Sequence, residues 1–262
     1  MIHAASPAVP AEATERVARH AARMGWPLEI VDAAEFADPR YRANPVDRCF
    51  FCKTNLYETI AARTSAQIVS GANLDDLGEY RPGLDAARRY GVRHPFLEAN
   101  AGKTMVRALA RHLGLMELAE LPAAPCLSSR VETGIAIRPE LLAAIHAGER
   151  LLAEALPRIG PKTAVRCRVR RSAVVIELDR ESLDALAGRA DLAKRIALLF
   201  SAAGVTLPVA FAPYRTGSAF LHANRGAALL PPSGHLLPEG EGARALRRER
   251  GACGSPTPGA EP

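Results

Sequence analysis

Through residues 1–135, short apolar runs that fit strands alternate with segments whose apolar residues recur at helical spacing. Residues 11–25 place Val17, Ala21 and Met24 on one face, Leu28-Glu29-Ile30-Val31 reads as a strand, and a helix around 50–63 carries Leu56 and Ile60 four apart. Ala66-Gln67-Ile68-Val69 is a further apolar run, stopped by Ser70-Gly71. Lys103–Leu113 then puts Val106, Leu109, Ala110 and Leu113 on one helical face, with Gly114 as a natural stop. Strands joined through helices lie parallel, because only a long crossover returns the chain to the same end of a sheet. The expected fold is therefore α/β, built on a parallel sheet.

The pattern changes near residue 136. Arg138-Pro139-Glu140 opens a helix carrying Leu141, Leu142, Ile145 and Leu152, with proline at a tolerated first-turn position. Val165–Arg170 and Ala173–Leu178 read as a hairpin. A helical stretch through Leu183, Leu186, Leu192, Ile196 and Leu199 ends near Gly204, and Val205–Phe211 reads as a last strand. These elements make a small α+β unit over 136–222, after an α/β unit over 1–135. Residues 223–262 are rich in Pro, Gly, Arg and Glu without periodicity and read as a disordered tail, which would leave Cys253 outside the chemistry.

Of the 262 residues, 48% are hydrophobic and 24% charged, which excludes wholesale disorder. No run reaches the roughly 18–20 apolar residues that a bilayer demands, and Met1–Pro7 lacks the features of a secretory signal, so a soluble cytoplasmic protein without a membrane partner is expected. The net charge of +6 invites a nucleic-acid reading. Only Lys53, Lys103, Lys162 and Lys194 are lysines, however, and an arginine- and alanine-rich composition raises charge without building a binding face. Arginines cluster at Arg166, Arg168, Arg170 and Arg171 without stacking aromatics, so nucleic acid is not the expected partner. An odd count of five cysteines argues against a disulfide framework and toward metal or redox chemistry.

Three segments carry the candidate chemistry. In Asn44-Pro45-Val46-Asp47-Arg48-Cys49-Phe50-Phe51-Cys52-Lys53, two cysteines three apart open a helix, where Arg48, Lys53 and the helix N-terminus favour thiolate. Half of a structural zinc site is the plainer reading, but no second pair completes four ligands. Ser70-Gly71-Ala72-Asn73-Leu74-Asp75-Asp76-Leu77-Gly78-Glu79-Tyr80-Arg81 follows an apolar run, the position where open α/β sheets bind ligands. Asp75 and Asp76 there suit a magnesium ion and Arg81 a phosphate, or all three are a solvated turn. Pro125-Cys126-Leu127-Ser128-Ser129-Arg130 sets a cysteine in a polar loop, either a reactive thiol or an inert one.

Taken together and in this order, Asn-Pro-x-x-Arg-Cys-x-x-Cys-Lys-x-x-Leu-Tyr, Gly-x-Asn-x-Asp-Asp-x-Gly-x-Tyr-Arg-Pro-Gly and Cys-Leu-x-Ser-Arg resemble the LarE family over roughly residues 5–220. These are PP-loop ATP-dependent sulfur transferases of nickel-pincer cofactor synthesis. Lys103 with Arg107 is similar to the Lys-x-Glu-x-Arg helix of PP-loop ATPases, with Met105 in place of the glutamate. The resemblance implies a Rossmann-like PP-loop domain followed by the small α+β domain. It implies that ATP with Mg²⁺ adenylates a carboxylate of pyridinium-3,5-biscarboxylic acid mononucleotide, and that sulfur displaces AMP to give a thiocarboxylate.

By the same resemblance Cys126 is the sulfur-handling residue. Asp75, Asp76, Arg81, Lys103 and Arg130 attend the nucleotide, and Arg166, Arg168 and Arg215 hold the substrate phosphate. Some members sacrifice the cysteine's own sulfur. Others use three cysteines to hold a [4Fe–4S] cluster, and Cys49, Cys52 and Cys126 supply that set here, leaving one iron open for sulfide. Glu149, Glu177 and Asp184 are candidate acids for a cation, and the relationship implies a homo-oligomer. The family's Ser-Gly-Gly-x-Asp-Ser pyrophosphate turn does not occur in the chain, and Ile2–Pro7 resembles the family's second strand. A first strand, loop and helix of roughly 25–35 residues are therefore expected to be missing. A misplaced start, a catalytically degenerate protein and a PP-loop tRNA thiolase are the alternatives.

Overall fold

The computed structural model describes residues 1–78, 80–122, 124–156, 165–186, 189–215 and 218–219; the predicted tail over 223–262, with Cys253, lies outside the described residues. Strand β1 (Ile2–Ala4) leads through helix α1 (Ala11–Met24) to β2 (Glu29–Val31). The two strands pair in parallel, Ile2 opposite Glu29 and Ala4 opposite Val31, as a helical crossover requires. Helix α1 ends where Gly25 takes a left-handed conformation (φ 66°) and its N–H turns back on the carbonyls of Ala21 and Ala22.

Helices α2 (Pro39–Arg42), α3 (Arg48–Ala61), α4 (Pro82–Arg89), α5 (Pro95–Glu98), α6 (Lys103–His112) and α7 (Met116–Glu120) follow, with a 3₁₀ turn at Leu74–Gly78 between α3 and α4. A second 3₁₀ turn, Leu127–Arg130, precedes α8 (Pro139–Ala155). Strands β3 (Arg166–Val169) and β4 (Val174–Leu178) form the expected antiparallel hairpin. Helices α9 (Arg180–Ala185) and α10 (Ala190–Ala202) then cross over to β5 (Val209–Pro213), which pairs in parallel with β4. About half of the described residues are helical, in a mixed α/β arrangement of one two-stranded parallel sheet and one three-stranded mixed sheet.

Three predicted elements differ. The run Ala66–Val69 makes only an isolated parallel bridge between Val69 and Arg93, and Val69 stays exposed with no strand beyond it. The last strand begins at Val209 rather than Val205, since Pro208 has no N–H for a ladder and offers only its carbonyl, to Val174. The stretch expected as one helix through Leu183–Leu199 forms α9 and α10, α9 being capped by the Asp179 carboxylate on the Ser182 N–H at 3.0 Å.

The larger core gathers Leu141, Ile145 and Leu152 of α8, Ile176 and Leu178 of β4, and Leu192, Ile196 and Phe200 of α10. It continues to Val131, Leu127, Tyr41 and Ala8. A smaller cluster of Tyr57, Ala86, Ala87 and Val92 joins α3 to α4, where the two small alanines allow close approach. Among the described residues no helix is long and apolar enough to cross a membrane.

Candidate functional site

The segment before α3 is laced to the segment after Cys126. Asn44 adopts a left-handed backbone (φ 54°), which asparagine tolerates better than most residues. Its buried amide donates to the carbonyls of Glu132 at 2.9 Å and Ile135 at 3.0 Å, and its oxygen accepts from Arg48 at 2.6 Å. The Ile137 N–H donates to the Arg42 carbonyl at 2.8 Å. Tyr41, packed edge-on against Phe36, shares a 2.6 Å hydrogen bond with the Ser128 hydroxyl. These contacts carry the Cys126 loop to the cysteine pair, which sits half-buried at the start of α3.

Cys126 is exposed, and its backbone is not free. Its carbonyl accepts from the Ser129 N–H at 3.0 Å and from the Arg130 guanidinium at 3.1 Å. Leu127, next in sequence, is buried in the larger core and donates its N–H to Ala8 at 2.9 Å. The 3₁₀ turn Leu127–Arg130 is buried throughout. It is held by Arg168, which donates to the Ser129 carbonyl at 2.9 Å, and by Arg130, paired with Glu149 through two contacts of 3.0 and 3.1 Å.

Cys126 acts on the cysteine pair. Burial pushes the Cys52 thiol up to about 12, and the neighbouring Cys126, Glu35 and Cys49 add to the rise against Lys53. Cys49 is also raised, by burial and then by Cys126, with Arg48, Lys53 and Arg81 pulling the other way. Cys126 thus acts electrostatically on both members of the pair, and Arg81 reaches the same field from the acidic turn. The predicted thiolate bias of the pair is therefore outweighed by desolvation. Cys167 is buried and strongly raised, behaving as a core residue.

The acidic turn is held by its flanking residues and by the start of α6. Asp75 accepts the Lys103 N–H at 2.6 Å and so caps α6, and a Cβ on Gly102 would come within 3.0 Å of that carboxylate. Asp76 accepts the Asn73 N–H at 3.1 Å and pairs with Arg81 at 3.1 Å. Arg107 donates to the carbonyls of Ala119 and Leu121, tying α6 to α7.

A third group of charges surrounds Glu177. That carboxylate accepts from Arg168 at 3.1 Å, Arg170 at 2.9 Å and Ser218 at 2.6 Å, while the Arg215 N–H stands at 3.5 Å. Burial pushes Glu177 up, but its hydrogen bonds from Ser218, Arg168 and Arg170 outweigh it and hold the carboxyl below the ordinary value. Arg166 is pushed down by burial and by the nearby Arg130 and Arg168, against Glu149 and Tyr214, so arginines crowd one another beside the Cys126 loop although Glu149 and Glu177 pair with Arg130, Arg168 and Arg170. Arg215 is exposed, and its carbonyl accepts from Arg168 at 3.4 Å. Glu149 and Glu177, predicted as cation ligands, are engaged by arginines; Asp184 lies on α9.

Two residues of this site carry no sequence signal: Tyr41, and Glu35, a buried carboxylate that raises both Cys52 and Tyr41 and whose Oε2 has no hydrogen-bond partner among the described residues. The Asp38-Pro39 helix start before Tyr41 marks the element but not its contact with residue 128. Among the described residues no three His, Cys, Asp or Glu side chains form a ready site for a metal ion. The donor type of the three thiols, rather than a ready geometry, is what suits an iron–sulfur cluster. They are soft sulfur donors, and Cys126 opposes the ionisation of both members of the pair, an opposition that a bound cation would relieve.

No protein-family model matches the chain. Over 186 residues it is 37% identical to the uncharacterized protein slr1717 of Synechocystis, an alignment covering 70% of this chain and 67% of that relative. It is 31% identical over 140 residues to the uncharacterized protein MJ0830 of Methanocaldococcus jannaschii, covering 52% of each. It is 32% identical over 120 residues to pyridinium-3,5-bisthiocarboxylic acid mononucleotide synthase of Lactiplantibacillus plantarum, covering 44% of this chain and 43% of that enzyme. The chain therefore spans two thirds of the first relative and about half or less of the other two.

Proposed function

The chain belongs to the family of the Synechocystis protein slr1717, and from that premise we propose that it is an ATP-dependent sulfur transferase acting on a carboxylated nucleotide. The similarity to the Lactiplantibacillus synthase supports pyridinium-3,5-biscarboxylic acid mononucleotide as substrate. The observation that carries the reading is the exposed Cys126 on a loop gripped from beneath by the buried arginines Arg130 and Arg168, with the Cys49 and Cys52 pair near enough to feel its charge.

In this reading the α/β unit over 1–135 binds ATP with Mg²⁺ at the acidic turn of Asp75 and Asp76, with Arg81 and Lys103 toward the phosphates. The α+β unit over 136–222 presents Arg166 and Arg215 to the substrate phosphate, with Arg168, buried between Glu177 and the Ser129 and Arg215 carbonyls, fixing the ground between them. Substrate carboxylate attacks the α-phosphate of ATP, giving an acyl adenylate and pyrophosphate. The exposed Cys126 sulfur attacks that carbonyl, the acyl C–O bond breaks, and AMP leaves with the electron pair. The resulting thioester yields thiocarboxylate by elimination: a base takes the Cα proton of residue 126, the Cβ–Sγ bond breaks with its electron pair going to sulfur, and dehydroalanine remains. Where a [4Fe–4S] cluster is bound, Cys49, Cys52 and Cys126 would hold it, and it supplies a renewable sulfide in place of the cysteine's own sulfur.

The test incubates the protein with ATP, Mg²⁺ and the biscarboxylate, following AMP release and substrate mass. Replacement of one oxygen by sulfur, stoichiometric with AMP, is expected. AMP release without thiocarboxylate, or neither product, overturns the reading. Iron and sulfide analysis after anaerobic purification tests the cluster: about four irons per chain are expected. Iron-free protein with multiple turnovers on added sulfide rejects it.

A further inference from the structure

We propose that Arg130, oriented by Glu149, is a positioning residue that sets the backbone under the Cys126 sulfur rather than a ligand of the nucleotide, an inference that rests on Cys126 being the sulfur-handling group. Every nitrogen of the Arg130 guanidinium donates within the protein. Nη1 meets the carbonyls of Pro125 at 2.6 Å and Cys126 at 3.1 Å, and the Ser129 hydroxyl at 3.0 Å. Nε and Nη2 meet the two oxygens of Glu149 at 3.0 and 3.1 Å. The side chain is 5% exposed, so a phosphate has little access to it.

Glu149 extends the contact to the sheet, because its Oε1 also accepts the Cys167 N–H of β3 at 3.1 Å. The side chain comes from the middle of α8, whose neighbouring residues fill the larger core. The chain of contacts runs from core helix to carboxylate to guanidinium to the two peptide carbonyls that flank the reactive residue. A planar guanidinium suits this task, since its donors are fixed in one fork while it bonds a carboxylate on one edge and carbonyls on the other. An amine at this point bonds fewer of these acceptors at once.

The experiment compares the full chain with the double variant Arg130→Met/Glu149→Leu, which removes the pair without leaving a charge buried alone, and with Arg130→Lys and Glu149→Gln. The single-turnover rate of AMP release is resolved into its maximum (kcat) and its half-saturating ATP concentration (KM), and iodoacetamide alkylation of each cysteine is timed by peptide mass spectrometry. The double variant is expected to lose about 10–100-fold in kcat with KM for ATP within about twofold. Cys126 alkylation changes several-fold while Cys49 and Cys52 keep their rates, and Glu149→Gln, which retains an acceptor for Arg130, recovers part of kcat. A tenfold rise in KM with kcat held assigns Arg130 to the nucleotide and overturns the proposal. Unchanged kcat with unchanged Cys126 alkylation overturns it as well. If the double variant does not fold, the two conservative variants decide by the same criteria. Should the parent protein transfer no sulfur, the proposed function falls, whereas the alkylation comparison still decides whether the pair sets the loop.

Discussion

The turn bearing Cys126 and the turn bearing Asp75 and Asp76 are both short 3₁₀ segments, yet they are held in opposite ways. Every residue of Leu127–Arg130 is buried, and its partners Tyr41, Glu149 and Arg168 come from three separate elements and are themselves buried or nearly so. No residue of Leu74–Gly78 is buried, and its carboxylates cap or pair with Asn73, Arg81 and Lys103. The first turn is a product of the whole fold; the second is built largely from capping chemistry and adapts more readily to a ligand.

Predictions that probe this contrast range from a lost activity to a small titration. Cys126→Ser is expected to reduce sulfur transfer by at least about 10³-fold. Its denaturation midpoint stays within about 0.5 kcal/mol of the parent because the side chain faces solvent. Glu177→Ala strands Arg168 in a buried site, and chemical denaturation is expected to show a loss of about 3–5 kcal/mol. Tyr41→Phe removes one buried hydrogen bond to the Cys126 turn, for about 1–2 kcal/mol in the same assay. Asp75→Ala uncaps α6 and costs about 1 kcal/mol, with faster amide exchange confined to the first turn of that helix.

The smallest effect is a pH response. Hydrogen bonding to Arg40, opposed by burial and supported by Asn55, holds Asp38 down to about 2. Because the folded value is depressed, the stabilisation is present above the unfolded pKa of about 3.9 and is lost as pH falls toward 2. Arg40 reaches solvent, so Asp38→Asn should flatten the acid limb of stability by under about 1 kcal/mol. An equal loss for Asp75→Ala and Glu177→Ala would erase the contrast between the turns.

What the chain spells out directly follows the same division. The cysteine pair in the opening turns of α3, the β3–β4 hairpin and the glycine stop of α1 are encoded by neighbours, and periodicity with turn chemistry finds them. Cys126, Arg130 and Arg168 stand out as residue types, but that Arg130 binds peptide carbonyls rather than phosphate depends on Glu149, nineteen positions away. Tyr41 and Ser128 meet across 87 positions, a distance over which no local pattern carries information. Glu35 is hidden for the same reason. Its importance lies in being buried near Cys52, and burial of an acid has no signature in its flanking residues.

The frame at residue 126 grips peptide carbonyls and the leucine that follows, and it leaves the displayed side chain exposed. Such a mount is indifferent to the atom it exhibits. Selenium, a spectroscopic label or an electrophilic amino acid placed there would inherit the same address at little cost to folding, which makes this position a natural port for installing new reactivity.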